Sequence, residues 1–106
     1  KAGKLVAVAP GGTTQTKIYE TVQAGASYAS GSLTIYNSNA SNEATVQVWI
    51  TSAASPSAAD KLCNIKITPQ DTVIMENLLL SPNEKIYVQS TQAATEYFFA
   101  GMVVSA

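Results

Sequence analysis

A chain of 106 residues with six lysines, seven carboxylates, no arginine and no histidine is one domain's worth of polypeptide with a weakly charged surface. Without arginine there is no bidentate fork for phosphate, and so few basic residues make no nucleic-acid footprint. Without histidine the Ser-His-Asp and Cys-His nucleophile systems cannot be assembled in this chain, and the single cysteine, Cys63, supplies neither an intramolecular disulfide nor a zinc site.

From the N-terminus, Leu5 to Ala9 is short and apolar, and Pro10-Gly11-Gly12 stops it with a strong turn cluster. Residues 1–12 read as an N-terminal arm or edge strand on a single domain spanning 1–106. Thr14 to Thr21 is threonine-rich, with Ile18 and Tyr19, and reads as a second strand, which Gln23-Ala24-Gly25-Ala26 breaks. Tyr28 to Asn37 is the third strand, with Gly31 marking a bulge inside it. Ala44 to Ser52 is the fourth and most regular, and Ala53 to Asp60, with Pro56 and many small residues, is a loop. Leu62 to Thr68 is the fifth strand, turned by Pro69-Gln70-Asp71. Thr72 to Leu80 carries Leu78-Leu79-Leu80 behind Glu76, which also suits a helix; its length and the flanking Pro69 and Pro82 favour a strand. Ser81-Pro82-Asn83-Glu84 turns into Lys85 to Ser90, and Thr95 to Ser105 is the last strand, with Gly101 near its centre. Eight strands between Gly, Pro and Asn turns, with no sustained helical spacing, predict an all-β fold: an antiparallel β-sandwich, jelly-roll or immunoglobulin-like.

The period-two alternation is clearest around the turn at Asn37 to Glu43. Leu33, Ile35, Val46, Val48 and Ile50 share one face; Thr34, Thr45 and Gln47 share the other with Tyr36 and Trp49. Tyr87 sits in the same outward parity between Ile86 and Val88. Large rings on faces that should meet water mark Tyr36, Trp49 and Tyr87 as candidate partner-binding residues, because Trp and Tyr dominate contacts between proteins. The alternative is that twist or a crossing loop buries them within the monomer. Tyr97, Phe98 and Phe99 are adjacent, so rings occupy both faces of the last strand. Cys63 shares parity with Ile65 and Ile67 and reads as a buried structural thiol. The carboxylates fall at turns or on polar faces, where solvation is their ordinary role, so no catalytic residue, metal ligand or cofactor site is assigned. No apolar run approaches the ~20 residues of a membrane span, and the opening lacks the long apolar core of a signal peptide.

Several short segments, in order, resemble a known pattern. Lys17-Ile18-Tyr19-Glu20-Thr21-Val22-Gln23-Ala24-Gly25 is similar to a "Tyr, spacer, Ala-Gly" opening, and Leu33-Thr34-Ile35-Tyr36-Asn37 to the following strand ending in Asn. Leu78 to Leu80, then Pro82-Asn83-Glu84-Lys85-Ile86-Tyr87-Val88, is similar to a "Leu, polar turn, Ile-x-Val" step, and Gly101 completes the order. Together they resemble small β-sandwich structural proteins of tailed bacteriophages, over roughly Ile18 to Val104. The resemblance implies a virion localisation and a non-enzymatic bacteriophage structural protein: a capsid decoration or cement subunit first, a tail, adaptor or fibre subunit second. Its implied partners are the major capsid protein or other virion proteins and further copies of itself as a homo-oligomer, with no nucleic acid and no membrane. From the residues alone, a carbohydrate-binding sandwich module is the alternative, since exposed rings also stack on sugars. The edge strands lack dense lysine protection, so strand addition by a neighbour's arm, with the residues up to Pro10 as the arm, is a further expectation.

Overall fold

The computed structural model describes residues 2–21 and 27–105. Eight strands follow one another: β1 (Ala2–Val8), β2 (Thr16–Glu20), β3 (Ser27–Asn37), β4 (Ala44–Thr51), β5 (Lys61–Ile67), β6 (Thr72–Leu80), β7 (Lys85–Ser90) and β8 (Thr95–Ser105), with one 3₁₀ turn, Ala58–Asp60, before β5. They form two four-stranded antiparallel sheets, ordered β1-β8-β3-β6 and β2-β7-β4-β5. Successive strands mostly alternate between the sheets, and this order is the connectivity of a jelly roll, which decides between the two sandwich types the pattern allowed. The Gln23-Ala24-Gly25-Ala26 break, and with it the Ala-Gly part of the segment that opens the resemblance, lie outside the described residues.

Alternation builds the core. Leu33, Ile35, Leu80, Tyr97 and Phe99 point inward from the first sheet and meet Val46, Val48, Ile67, Ile86 and Val88 from the second, all 3% exposed or less. Tyr19 and Phe99 pack ring to ring at 5.2 Å between centroids. Leu78-Leu79-Leu80 is strand: Leu78 and Leu80 are buried while Leu79 stands in solvent. Cys63 is half-buried rather than buried, because β5 is the edge of its sheet. Its Sγ lies 3.7 Å from Sδ of Met75 across the sandwich, and burial pushes the thiol pKa up, away from reactivity.

Central and edge strands differ in kind. β3 and β8 pair without a break from Ser27–Ser105 to Asn37–Thr95, and β4 pairs with β7 likewise. Each edge strand slips register once: at Leu5 in β1, Ile18 in β2, Leu62 in β5 and Glu76-Asn77 in β6, where Asn77 has φ +60°. The slip in β6 sits opposite Gly31, but the extra residue is on β6; β3 itself runs unbroken against β8, so the bulge expected inside the third strand lies on its neighbour. Bulges twist an edge away from a flat template and obstruct pairing with another chain. β1 is itself such an edge, hydrogen-bonded to β8 of its own chain. That occupies the segment expected to serve as a free arm, and the bulges supply the edge protection that lysine does not.

Two turns are built alike. Thr68-Pro69-Gln70-Asp71 and Ser81-Pro82-Asn83-Glu84 each close with a hydrogen bond from the fourth residue's N–H to the first residue's carbonyl, at 3.2 and 3.1 Å. Proline presets the second position, and Gln70 and Asn83 take the positive φ of the third (+58° and +70°). At the same end of the sandwich as the first of these, Asn37 ends β3 fully buried. Its Nδ2 donates to the carbonyls of Asn42 (2.9 Å) and Ile67 (3.0 Å), and its Oδ1 accepts from the N–H of Asn39 (3.1 Å). Its backbone exchanges bonds with Asp71 and Gln70. One amide thus joins the β3–β4 loop to the β5–β6 turn.

Candidate functional site

The three aromatics marked by parity do not share a surface. Tyr36 lies on the outer face of the first sheet, beside Glu96 and Thr72, whereas Trp49 and Tyr87 are cross-strand neighbours on the outer face of the second. Those faces look in opposite directions. Trp49 is only 6% exposed, which corrects the expectation that it meets a partner. Lys61 Nζ stands 5.7 Å from its ring centroid. The β4–β5 loop is drawn back onto this end of the sheet, where Tyr87 donates from its hydroxyl to the Ala54 carbonyl at 2.8 Å and Lys85 Nζ to that of Ser52 at 2.9 Å. Tyr36 and Tyr87 are half-buried. The rings therefore form no exposed row of the kind a sugar platform requires.

A different surface carries the exposed apolar area. Among the described residues, seven large hydrophobic side chains are well exposed. Six of them, Tyr28, Ile74, Leu79, Phe98, Met102 and Val104, lie on the outer face of the first sheet, each between 40% and 67% exposed; the seventh, Leu62, sits at the β5 bulge. Register places them in rows. Ala7, Phe98, Thr34 and Ile74 cross the sheet side by side; two residues along β8 and β3, Lys4, Ala100 and Ser32 follow, with Glu76 and Asn77 at the β6 bulge; then Met102, Ser30 and Leu79; then Val104 and Tyr28. Tyr97 and Phe99 turn inward, so Phe98 is the one ring of that trio offered outward. Among the described residues, Lys4, Glu76 and Glu96 are the charges on this face, and the only ion pair, Lys17–Glu20 at 2.8 Å, is elsewhere. A shallow cleft of about 320 Å³ opens between Ala9, Tyr36 and Phe98, and another of about 350 Å³ between Ser32, Asn77 and Leu79 at the β6 bulge.

The outer face of the second sheet is polar by contrast. Thr45, Gln47, Gln89 and Thr91 line it with hydroxyls and amides, around an open cleft of about 330 Å³, and Asn64 and Lys66 extend it on β5. No group of three or more His, Cys, Asp or Glu side chains comes together among the described residues. Asp60 and Asp71 serve turns: Asp60 Oδ2 accepts from the Ser57 N–H at 2.8 Å, and Asp71 accepts from the Thr68 hydroxyl at 3.2 Å and the Thr72 N–H at 2.8 Å. The Ser57 N–H holds the Asp60 carboxyl below its ordinary range.

Single outward rings do not mark the apolar outer face. The available signal was the unbroken apolar run from Tyr97 to Val104, with Val73-Ile74-Met75 and Leu78-Leu79-Leu80. An apolar run within one strand means that both faces of that strand are apolar. Fold and surface define the class: a jelly-roll sandwich with blunted edges, one apolar outer face and one polar one. The chain matches no protein-family model, no curated protein sequence and no solved structure.

Proposed function

We propose that this protein is a structural subunit that acts by being packed against neighbouring proteins, and that it serves on a virion as a capsid decoration or cement subunit. The observation that carries the reading is the outer face of the first sheet, where six large apolar side chains stand in solvent on a sheet whose central strands pair without a break. Contiguous apolar patches of this kind mark association surfaces in soluble proteins. Jelly rolls serve in viral capsids as well as in lectins and cupins, so fold alone does not choose among these roles; the order of short segments resembling bacteriophage structural proteins favours the first. The mechanism is passive. Burying this face at a junction between subunits removes apolar surface from water, and repetition over a lattice multiplies a modest contact through avidity.

The test is occupancy on particles. Shells from the virus encoding this chain, stripped of it, are mixed with wild-type protein and with the double variant Phe98→Ser, Met102→Ser, and bound protein is measured by sedimentation. The wild type should saturate defined sites and raise the temperature at which shells break, and the variant should do neither. Failure of folded wild-type protein to bind such shells would remove the virion role.

A further inference from the structure

Resting on that reading, we infer that the occupant of the apolar face is a second copy of this chain, packed sheet on sheet about a two-fold axis running parallel to the strands. The extent of the face suits this. Along β8 and across four strands it measures about 34 Å by about 19 Å at standard strand spacings, or about 600 Å² of projected sheet per copy. Two copies would cover about 1,200 Å², the lower bound for a specific and stable interface. Association through the edges is obstructed, since all four edge strands are bulged, which leaves the faces.

Charge selects the geometry. Lys4 on β1, paired with Ala100, and Glu76 on β6, in the bulge next to Met75, lie at opposite margins of the sheet near the middle of its length. A two-fold axis parallel to the strands lays β1 over the second copy's β6 and β8 over its β3. Lys4 then faces Glu76 of the other copy, twice by symmetry. The alternative axis, in the interface but perpendicular to the strands, sets Lys4 against Lys4 and Glu76 against Glu76, which like-charge repulsion disfavours. The favoured axis also sets large against small: Phe98 over Thr34, Met102 over Ser30, Ile74 over Ala7. Glu96 comes over the Tyr36 hydroxyl at the rim, where a carboxylate accepts its hydrogen bond. Stacked sheets cross at about 30°, which offsets the marginal pairs by a few ångströms, within the reach of lysine and glutamate side chains.

Sedimentation equilibrium tests this with the whole chain. Wild-type protein should be a dimer at micromolar to hundred-micromolar concentration. Lys4→Glu and Glu76→Lys should each weaken it at least tenfold, and the two together should restore it to within about threefold, a rescue that a general loss of charge or fold would not produce. Circular dichroism melts of the same variants should stay close to wild type, because both side chains are exposed. A wild-type monomer throughout that range, a double variant no tighter than the singles, or a dimer that survives Phe98→Lys with Met102→Lys would each overturn the inference. A monomer that still occupies shells would sink the dimer and leave the virion reading standing. A dimer of this geometry that binds no shell would do the reverse.

Discussion

Asn37 is the residue whose replacement most directly tests how the two loop ends are held together. Its side chain is fully buried, and its three short hydrogen bonds reach the Asn42 and Ile67 carbonyls and the Asn39 N–H at 2.9, 3.0 and 3.1 Å. Asn37→Ala removes all three and leaves the Ile67 carbonyl buried without its donor. At about 1 kcal/mol per bond, with about 1–3 kcal/mol added for a stranded acceptor, the loss is about 4–6 kcal/mol. That is a large part of the ~5–15 kcal/mol typical of a whole domain, and it lowers Tm by about 16–30 °C. Asn37→Asp makes a sharper experiment, because it keeps the shape and the acceptor but turns the donor into an anionic acceptor facing two carbonyls. At neutral pH it should be less stable than the alanine variant. Its carboxyl pKa rises in the folded state, so the folded protein holds the proton more tightly than the unfolded one, and stability recovers as pH falls through that raised value. Urea unfolding followed by circular dichroism at pH 7 and at about pH 4.5 reads both effects, each compared with wild type at the same pH. An alanine variant that loses under about 1 kcal/mol, or an aspartate variant that is no worse than alanine and indifferent to pH, would refute the assignment of Asn37 as the tie between loops.

Three further outcomes follow from the packing. Gly31 and Gly101 face each other across β3 and β8, and a Cβ on either would come within 2.1 Å of the Ala100 carbonyl oxygen or 1.9 Å of that of Ser30. Alanine at either position should cost about 3 kcal/mol or more. Gly12→Ala, where nothing lies within 4 Å, should stay within about 0.5 kcal/mol by urea titration, and equal effects at all three sites would contradict the close approach. Trp49→Ala should lower stability by about 3 kcal/mol as a core substitution does, and Lys61→Ala by under about 1 kcal/mol through the lost cation–π contact; a tryptophan variant with unchanged thermal stability would return Trp49 to the list of free contact residues. Burial holds the Tyr97 phenol protonated, with its pKa raised. The folded state therefore keeps that proton when the unfolded chain has lost it, so stability is intact below an unfolded pKa of about 10 and falls above it by up to about 1.4 kcal/mol per pH unit. Tyr97→Phe should flatten the alkaline limb measured by urea midpoints between about pH 9 and 12, and an unchanged slope would show that another group governs it.

The candidate face and the fold were legible to different degrees. Strand positions depend on alternation and turn chemistry, which act within a few residues. All eight strands could be placed from residues such as Leu33, Ile35, Val46 and Val48 and from turns such as Ser81-Pro82-Asn83-Glu84, with boundaries moving by a few residues at most. Parity also told which side of its own strand each ring occupies: Tyr36, Trp49 and Tyr87 all point away from the core side. It did not tell which sheet that strand joins, so rings of one parity ended on opposite faces of the molecule.

Sequence by itself therefore determined a sparsely charged, all-β chain with its inward residues already sorted, because those properties reside in composition and in contacts between near neighbours. Only tertiary structure decided the jelly-roll order, the burial of Trp49 with Lys61 over its ring, and the gathering of Phe98, Met102, Ile74 and Leu79 onto one face. These depend on pairings between residues distant along the chain, such as Lys4 with Ala100 or Thr34 with Ile74. The free energy of such pairings comes from burying surfaces that meet only once the whole sandwich has closed.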